Sequence, residues 1–166
     1  GTSCSKVQFE HIFLSIIHSV EDANPCLKLG DWQLRRFQRH LFLVPDYQDI
    51  SQQTVTMQPE EKVSLPQDLG ELVLSAEDVM GLNLTSPESG QPISIKFDPE
   101  GLSAHPVGRQ GKRKLKKLFQ EYGIPSWQRR RTPLIYYGDT LVAVADLFVC
   151  DGFEGNDYTL GWHKLH

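Results

Sequence analysis

Residues 133–150, PLIYYGDTLVAVADLFVC, decide the fold class. PLIYY is aromatic and apolar, Gly138-Asp139 supplies a two-residue turn, and TLVAVADLFVC returns as a long apolar strand, so the pattern predicts an antiparallel hairpin. Downstream, a Gly-rich, acidic bend precedes a last short strand near TLGWHK. Asp146 and Asp151, near or beyond the end of the long strand, read as turn or edge residues rather than metal ligands. Upstream, ISIKF at 93–97 follows the loop TSPESGQP and predicts another strand. KVSL and ELVLS flank Pro66-Gln-Asp-Leu-Gly70 as a further hairpin.

The front of the chain is organised differently. Ser5-Lys-Val-Gln8 has the form of a capping box, and Val7, Phe9, Ile12, Phe13, Ile16, Ile17 and Val20 recur mostly at helical spacing, predicting a helix over about 5–21. His11 and His18 read as partly exposed residues of that helix. CLKL, WQLRRF and HLFLV then predict a small meander packed on the helix, with its first tight turn at Gly30-Asp31. Pro45 and the polar stretch DYQDISQQT end it and mark a domain boundary, dividing the chain into residues 1–46 and 47–166. The fold class is α+β: a small helix-plus-β-meander lobe, then a mixed α/β C-terminal lobe with antiparallel hairpins and one basic amphipathic helix.

Composition limits the function classes. A chain of 166 residues with 39% hydrophobic content buries roughly 70% of its unfolded surface, enough for one or two lobes. No apolar run approaches the roughly 18 to 20 residues of a membrane span and no secretory signal is evident, so the expected compartment is the cytosol, with no membrane partner. Cys4, Cys26 and Cys150 are odd in number, far apart and without a CxxC, which predicts reduced structural cysteines and no metal site.

The net charge of −4 argues at first against a polyanionic partner, but the distribution reverses that impression. Residues 105–131 hold nine of the seventeen Lys and Arg residues, Arg109, Lys112, Arg113, Lys114, Lys116, Lys117, Arg129, Arg130 and Arg131, against the single acid Glu121. That segment carries +8 and leaves −12 for the remainder. Leu115, Leu118, Phe119 and Tyr122 fall at i, i+3, i+4 and i+7, so a helix here turns one apolar side inward and projects Arg113, Lys116, Lys117 and Gln120 to the other. Gly123 supplies a stop, reinforced by Pro125.

Cations in a first helical turn oppose the helix dipole by about 0.3 to 1 kcal/mol each, a conflict that a bound phosphate removes. The preceding Gly108-Arg-Gln-Gly111 lets backbone approach a phosphate closely, with N–H groups of the helix start as further donors. A KH-type GxxG clamp shares those four residues but not the surrounding pattern. A solvated lysine face is the alternative that needs no partner. Tyr122 and Trp127 suit packing against the sheet better than stacking on a base. A second basic group, Arg35, Arg36 and Arg39, falls on the meander, where alternation directs Arg35 and Arg39 to one face and Arg36 to the other. Phosphate contacts and local salt bridges both suit it.

Catalytic signals are missing. Neither GxxxxGK[ST] nor an SGGxDS-type loop occurs, and Ser89-Gly90 is only a turn dipeptide. His105 has no partner at fixed spacing, Asp98 and Asp139 being the nearest proposals for one.

The run GRQGKRKLKKLFQEYGIPSWQRRRTPLIYYGDTLVAVADLFV resembles the C-terminal domain of the tRNA(Ile)-lysidine synthase family, and EDANPCLKLGDWQLRRFQRHLFLV resembles the end of that family's substrate-recognition domain. Both blocks stand in the family's order, over about residues 3–150. The resemblance implies a parent ligase that adenylates the wobble cytidine of the CAU-anticodon isoleucine tRNA and joins lysine to it. ATP and Mg belong to an N-terminal catalytic domain expected to be missing here, so this fragment is expected to need no cofactor and to bind tRNA without modifying it. The same resemblance assigns Arg109 to Lys117 to the acceptor-stem side of the substrate. Ser126, Gln128 and Arg130 depart from the family's usual proline, apolar and acidic residues. The expected partners are that tRNA and the missing domain, with an oligomer left open. A protein-interaction module that meets an acidic partner through the basic helix is the alternative, and a membrane-surface helix is weaker because four large apolar residues are needed for packing.

Overall fold

The computed structural model describes residues 26–45, 47–77 and 79–164. The helix expected over residues 5–21 lies outside them. The chain divides into two compact units, Gly1–Gln48 and Asp49–His166.

In the first unit, β1 (Cys26–Leu29), β2 (Trp32–Phe37) and β3 (His40–Pro45) form an antiparallel meander in that order. Two-residue turns join them, as the pairs Leu29↔Trp32 and Phe37↔His40 require. Gln38 and Arg39 both take positive φ, 50° and 67°, the requirement of a type I′ hairpin. Arg39 is therefore a turn residue, and the alternation expected to set it beside Arg35 does not reach it. Pro45 is the last residue of β3, opposite Trp32, where a missing N–H is tolerated.

The second unit is built on two antiparallel sheets. One has the order β13 (Phe148–Val149), β12 (Thr140–Val144), β11 (Leu134–Tyr137), β8 (Ile93–Lys96), β4 (Thr54–Met57). The other has the order β5 (Lys62–Ser64), β6 (Glu71–Ser75), β14 (Tyr158–His163), β7 (Leu82–Leu84). A two-stranded ribbon, β9 (Ser103–Ala104) with β10 (Arg113–Lys114), leads into α1 (Leu115–Glu121), and a single turn, α2 (Ser126–Arg129), follows it.

Strand β11 is buried along its whole length because it serves two cores. Ile135 and Tyr137 join Leu72, Leu74, Leu84, Ile95 and Leu160 between the two sheets. Leu134 and Tyr136 alternate to the opposite face, where Leu115, Leu118 and Phe119 of α1 cover them. Its partner β12 carries a bulge opposite Ile135 and Tyr136, so Val142 and Ala143 both enter the first core while Val144 enters the second.

Two expectations need correction. TLVAVADLFVC is not one strand: the chain reverses after Val144, with Leu147 N–H donating to the Val144 carbonyl at 3.0 Å and Asp146 at φ 64°. The following β13 pairs back on β12. Within the polar stretch after Pro45, Ile50 is buried and β4 begins at Thr54. The basic helix is shorter than its periodicity suggested, because Arg113 and Lys114 pair with Ala104 and Ser103 as strand.

The hairpin β5–β6 turns through Gln67 and Asp68, both at positive φ, and closes with Leu65 N–H on the Gly70 carbonyl at 2.8 Å. Gly70 itself sits at φ 98°, and a β-carbon there would overlap the backbone carbonyl of His163. Left-handed strain of about 1–2 kcal/mol and overpacking of about 1–3 kcal/mol act together at this position. Gly70→Ala should therefore lower unfolding free energy by about 3 kcal/mol in a urea titration, whereas Gly101→Ala, with open space around its site, should lower it by about 1 kcal/mol.

Candidate nucleic-acid interface

Helix α1 has only seven residues and no side-chain cap at Lys114, whose backbone is extended. A helix this short does not persist alone, so its placement rests on tertiary packing. Leu115, Leu118 and Phe119 are fully buried, which fixes the rotation of the helix. Lys116 and Lys117 are consequently exposed in the first turn, with no acidic residue there to oppose the dipole. At the other end, Ile124 N–H donates to the Phe119 carbonyl at 2.8 Å and Gly123 N–H to the Gln120 carbonyl at 3.1 Å, with Gly123 at φ 73°. This is a Schellman stop, which throws the chain back toward α2.

The expected loop-to-helix phosphate cradle does not form as one piece. The strand β10 separates residues 108–111 from α1, and the Leu115 N–H is already given to the Leu102 carbonyl at 2.9 Å. The glycine loop remains open around Gly108 and Gly111 but is tied to the strand beside it. Val107 N–H donates to Val149, and Asp151 N–H to His105. His105 lies with Nε2 on the Arg109 carbonyl and Nδ1 3.8 Å from Asp151, not beside Asp98 or Asp139, and so works as a loop fastener.

The nine cations of residues 105–131 fall into distinct settings. Arg109 pairs with Glu121 at 2.6 Å, and hydrogen bonds to Glu121 and then Tyr122 hold its guanidinium above the usual arginine value. Arg130 reaches Glu100 at 3.2 Å and Asp98 at 3.8 Å. Arg131 donates to the Gln67 carbonyl at 3.1 Å and is half-buried. Arg129 donates through Nε to the Ile124 carbonyl at 3.2 Å, and burial pulls its guanidinium below the usual arginine value. Lys112, Arg113, Lys114, Lys116 and Lys117 are exposed and enter no ion pair with the described residues.

Four of the nine, Lys114, Lys116, Arg129 and Arg130, come together around one cleft of about 480 Å³. The turn at 99–103 forms its other wall, with Glu100 as the acid and Ser103 and Ser126 as hydroxyls. Ser103 stands directly opposite Lys114 in the β9–β10 ribbon. Sequence reasoning named all four cations, and Ser126 only as a departure from the family pattern, but neither the cleft nor Ser103, because the 99–103 turn had no pattern to join it to the basic segment. Tyr122 stacks on Phe148, ring centroids 5.5 Å apart at 30°, and so packs on the sheet. In the first unit Arg35 donates to Gln33 at 3.2 Å, Arg36 is half-exposed and Arg39 is exposed at the turn.

The basic segment belongs to a strongly dipolar unit. Residues 49–166 outside it hold fifteen Asp and Glu against Lys62, Lys96 and Lys164, whereas residues 1–48 balance five cations with five acids. All of the excess negative charge thus resides in the unit that carries the basic face.

The family model of the TilS substrate C-terminal domain matches residues 93–166, and that of the TilS substrate binding domain matches residues 1–42. A tRNA(Ile)-lysidine synthase of Vibrio cholerae serotype O1 is 46% identical over 162 residues, covering 98% of this chain. Proteins of the same name from Photobacterium profundum and Vibrio parahaemolyticus are 45% and 44% identical, over 95% and 96% of the chain. The chain spans about 36% of the length of each of these relatives.

Two outcomes test this electrostatic arrangement. Glu121→Gln should release Arg109, leaving the thermal midpoint nearly unchanged while tightening binding to any polyanion and steepening its salt dependence, as read by fluorescence anisotropy on labelled RNA. Burial pushes the Cys150 thiol up to about 11, so on the order of one molecule in a thousand carries the thiolate at pH 8. Iodoacetamide at pH 8 should leave Cys150 unmodified in the folded chain and alkylate it in urea, read by peptide mass.

Proposed function

The chain belongs to the family defined by the TilS substrate-binding and C-terminal domains, and on that footing we propose that it is the tRNA-holding region of a tRNA(Ile)-lysidine synthase. In this reading residues 1–46 close the substrate-recognition domain and residues 47–166 form the C-terminal tRNA-binding domain. The whole enzyme is a cytosolic, ATP-dependent ligase that joins lysine to the wobble cytidine of the CAU-anticodon isoleucine tRNA. The chemistry belongs to a separate catalytic domain, and this region contributes substrate affinity and placement. In this reading ATP and Mg act in that other domain; among the described residues no group of three His, Cys, Asp or Glu side chains is arranged to hold a metal ion.

The observation that carries the proposal is the exposed, acid-free set Lys112, Arg113, Lys114, Lys116 and Lys117 beside the four-cation cleft. Phosphates supply the counter-charge that the fold withholds from these residues. Arg109, Arg129, Arg130 and Arg131 contribute to the same field while also bracing the loops that present it. Arg35, Arg36 and Arg39 form a secondary RNA contact on the meander. Their mixed exposure suits backbone phosphates better than base edges.

Titration of the chain with CAU-anticodon isoleucine tRNA over a range of salt tests the reading. Each phosphate contact contributes about −0.9 to the slope of log K against log salt on duplex DNA, and a comparable amount on folded RNA. Arg113→Ala, Lys116→Ala and Lys117→Ala together should make the slope shallower by about two to three while the unfolding midpoint stays in place, since none of the three enters the core. Binding of the tRNA that is absent or insensitive to salt sinks the proposal. Tighter binding to an acidic peptide than to tRNA would favour the protein-interaction alternative.

A further inference from the structure

The cleft between the 99–103 turn and α2 differs in kind from the exposed cations Lys112, Arg113 and Lys117 outside it. It is concave, within the size range of small-ligand sites, and its lining carries four cations against one acid. Glu100 at 3.2 Å and Asp98 at 3.8 Å face Arg130, so that cation is engaged within the fold and four cations against two acids leave an excess of about +2, carried by Lys114, Lys116 and Arg129. Ser103 and Ser126 add two hydroxyls able to donate.

The shape limits what can enter. A duplex presents its phosphates on a convex surface and cannot lower one into a pocket of about 480 Å³. An unpaired base is also a poor occupant, because stacking needs an exposed aromatic face and the one aromatic residue of the lining, Phe119, is fully buried. A phosphate at the end of a chain satisfies both constraints. It projects, it carries about −1.5 to −2 charges against the single charge of an internal diester, and it offers three strong acceptor oxygens.

Arg129 sharpens the match. One-turn helix α2 aims it into the cleft, and its Nε is held by the Ile124 carbonyl, which fixes the guanidinium plane. No carboxylate among the described residues pairs with it. Burial disfavours its charged form, a cost that an incoming anion offsets.

Resting on the tRNA reading, we infer that the cleft lined by Lys114, Lys116, Arg129 and Arg130 is a phosphomonoester site, and that it seats the 5′-terminal phosphate of the bound tRNA. Lys112, Arg113 and Lys117 track the polyanion and the cleft registers its end. Recognition of an end fixes where along the RNA the chain sits, which diester contacts alone cannot do.

The test compares CAU-anticodon isoleucine tRNA bearing a 5′-monophosphate with the same tRNA dephosphorylated to a 5′-hydroxyl, at one salt concentration. The intact end should bind about tenfold more tightly, consistent with one or two charge-assisted hydrogen bonds. The exposed double variant Lys114→Gln, Lys116→Gln should bind both RNAs equally. Arg113→Gln, Lys117→Gln should weaken both alike and keep the preference. Arg129→Lys, which retains the charge without the planar fork, should lose most of the preference and remain folded. Equal binding of the two RNAs by the unaltered chain, with the steep salt dependence preserved, overturns the cleft assignment and leaves the tRNA reading standing. Protection of the cleft lysines from acetylation by adenosine 5′-monophosphate, in a chain that binds no tRNA, supports the phosphomonoester site and overturns the tRNA reading. Neither tRNA binding nor such protection overturns both.

Discussion

Strand β11 is the element on which the second unit depends. Leu134, Ile135, Tyr136 and Tyr137 alternate between two cores and are all buried, so one four-residue strand attaches two layers, two side chains to each. The bulge in β12 is what allows the neighbouring strand to serve both layers as well. Without the extra residue, Val142 and Ala143 would fall on opposite faces and one core would lose a side chain. Tyr137 is anchored further by its hydroxyl, which donates to the Thr85 carbonyl at 2.7 Å, and burial raises its phenol above the ordinary value so that it stays a donor.

That arrangement determines where positive charge appears. Helix α1 has too few residues and too poor a cap to stand alone, yet its cations need a fixed direction if they are to meet a partner in register. Leu115, Leu118 and Phe119 supply the direction by docking on the outer face of β11. The acids near the segment are placed to hold arginines, not to neutralise lysines. Glu121 takes Arg109, while Glu100 and Asp98 take Arg130, and Lys112 to Lys117 keep their charge facing solvent. Arginine suits the braced positions because one planar fork can hold a carboxylate or carbonyl and still direct another N–H outward.

The strands with strong local signals were legible from sequence. Gly138-Asp139 and the apolar runs beside it foretold β11 and β12, and CLKL, WQLRRF and HLFLV foretold the meander nearly residue for residue. Strands β4 and β7 were not legible, since TVTM and LNL are short and owe their conformation to pairing with β8 and β14. Asp146 was legible as a turn or edge residue but not as a reversal inside the run, because Ala-Asp-Leu carries no Gly or Pro and an aspartate at positive φ takes the place of a glycine. For the site, composition revealed the +8 segment but could not say which cations converge. Lys116 and Arg129 are thirteen positions apart, and Glu100 precedes both; only the ribbon β9–β10 and the Schellman stop bring them to one cleft.

The acidic remainder of the second unit has a part in the same physics. Fifteen acids against three cations outside residues 105–131 make most of this unit repel an RNA, while the basic segment attracts it. At physiological ionic strength the field of either part decays over about 8 Å, so an approaching polyanion feels the nearer surface far more than the farther one. A molecule with uniform positive charge would hold RNA in many orientations. One with a single basic face on an otherwise negative unit rejects most of them, because the wrong approach meets like charge. The net charge of −4 is therefore compatible with binding of a polyanion, and the asymmetry that produces it would restrict where one could lie.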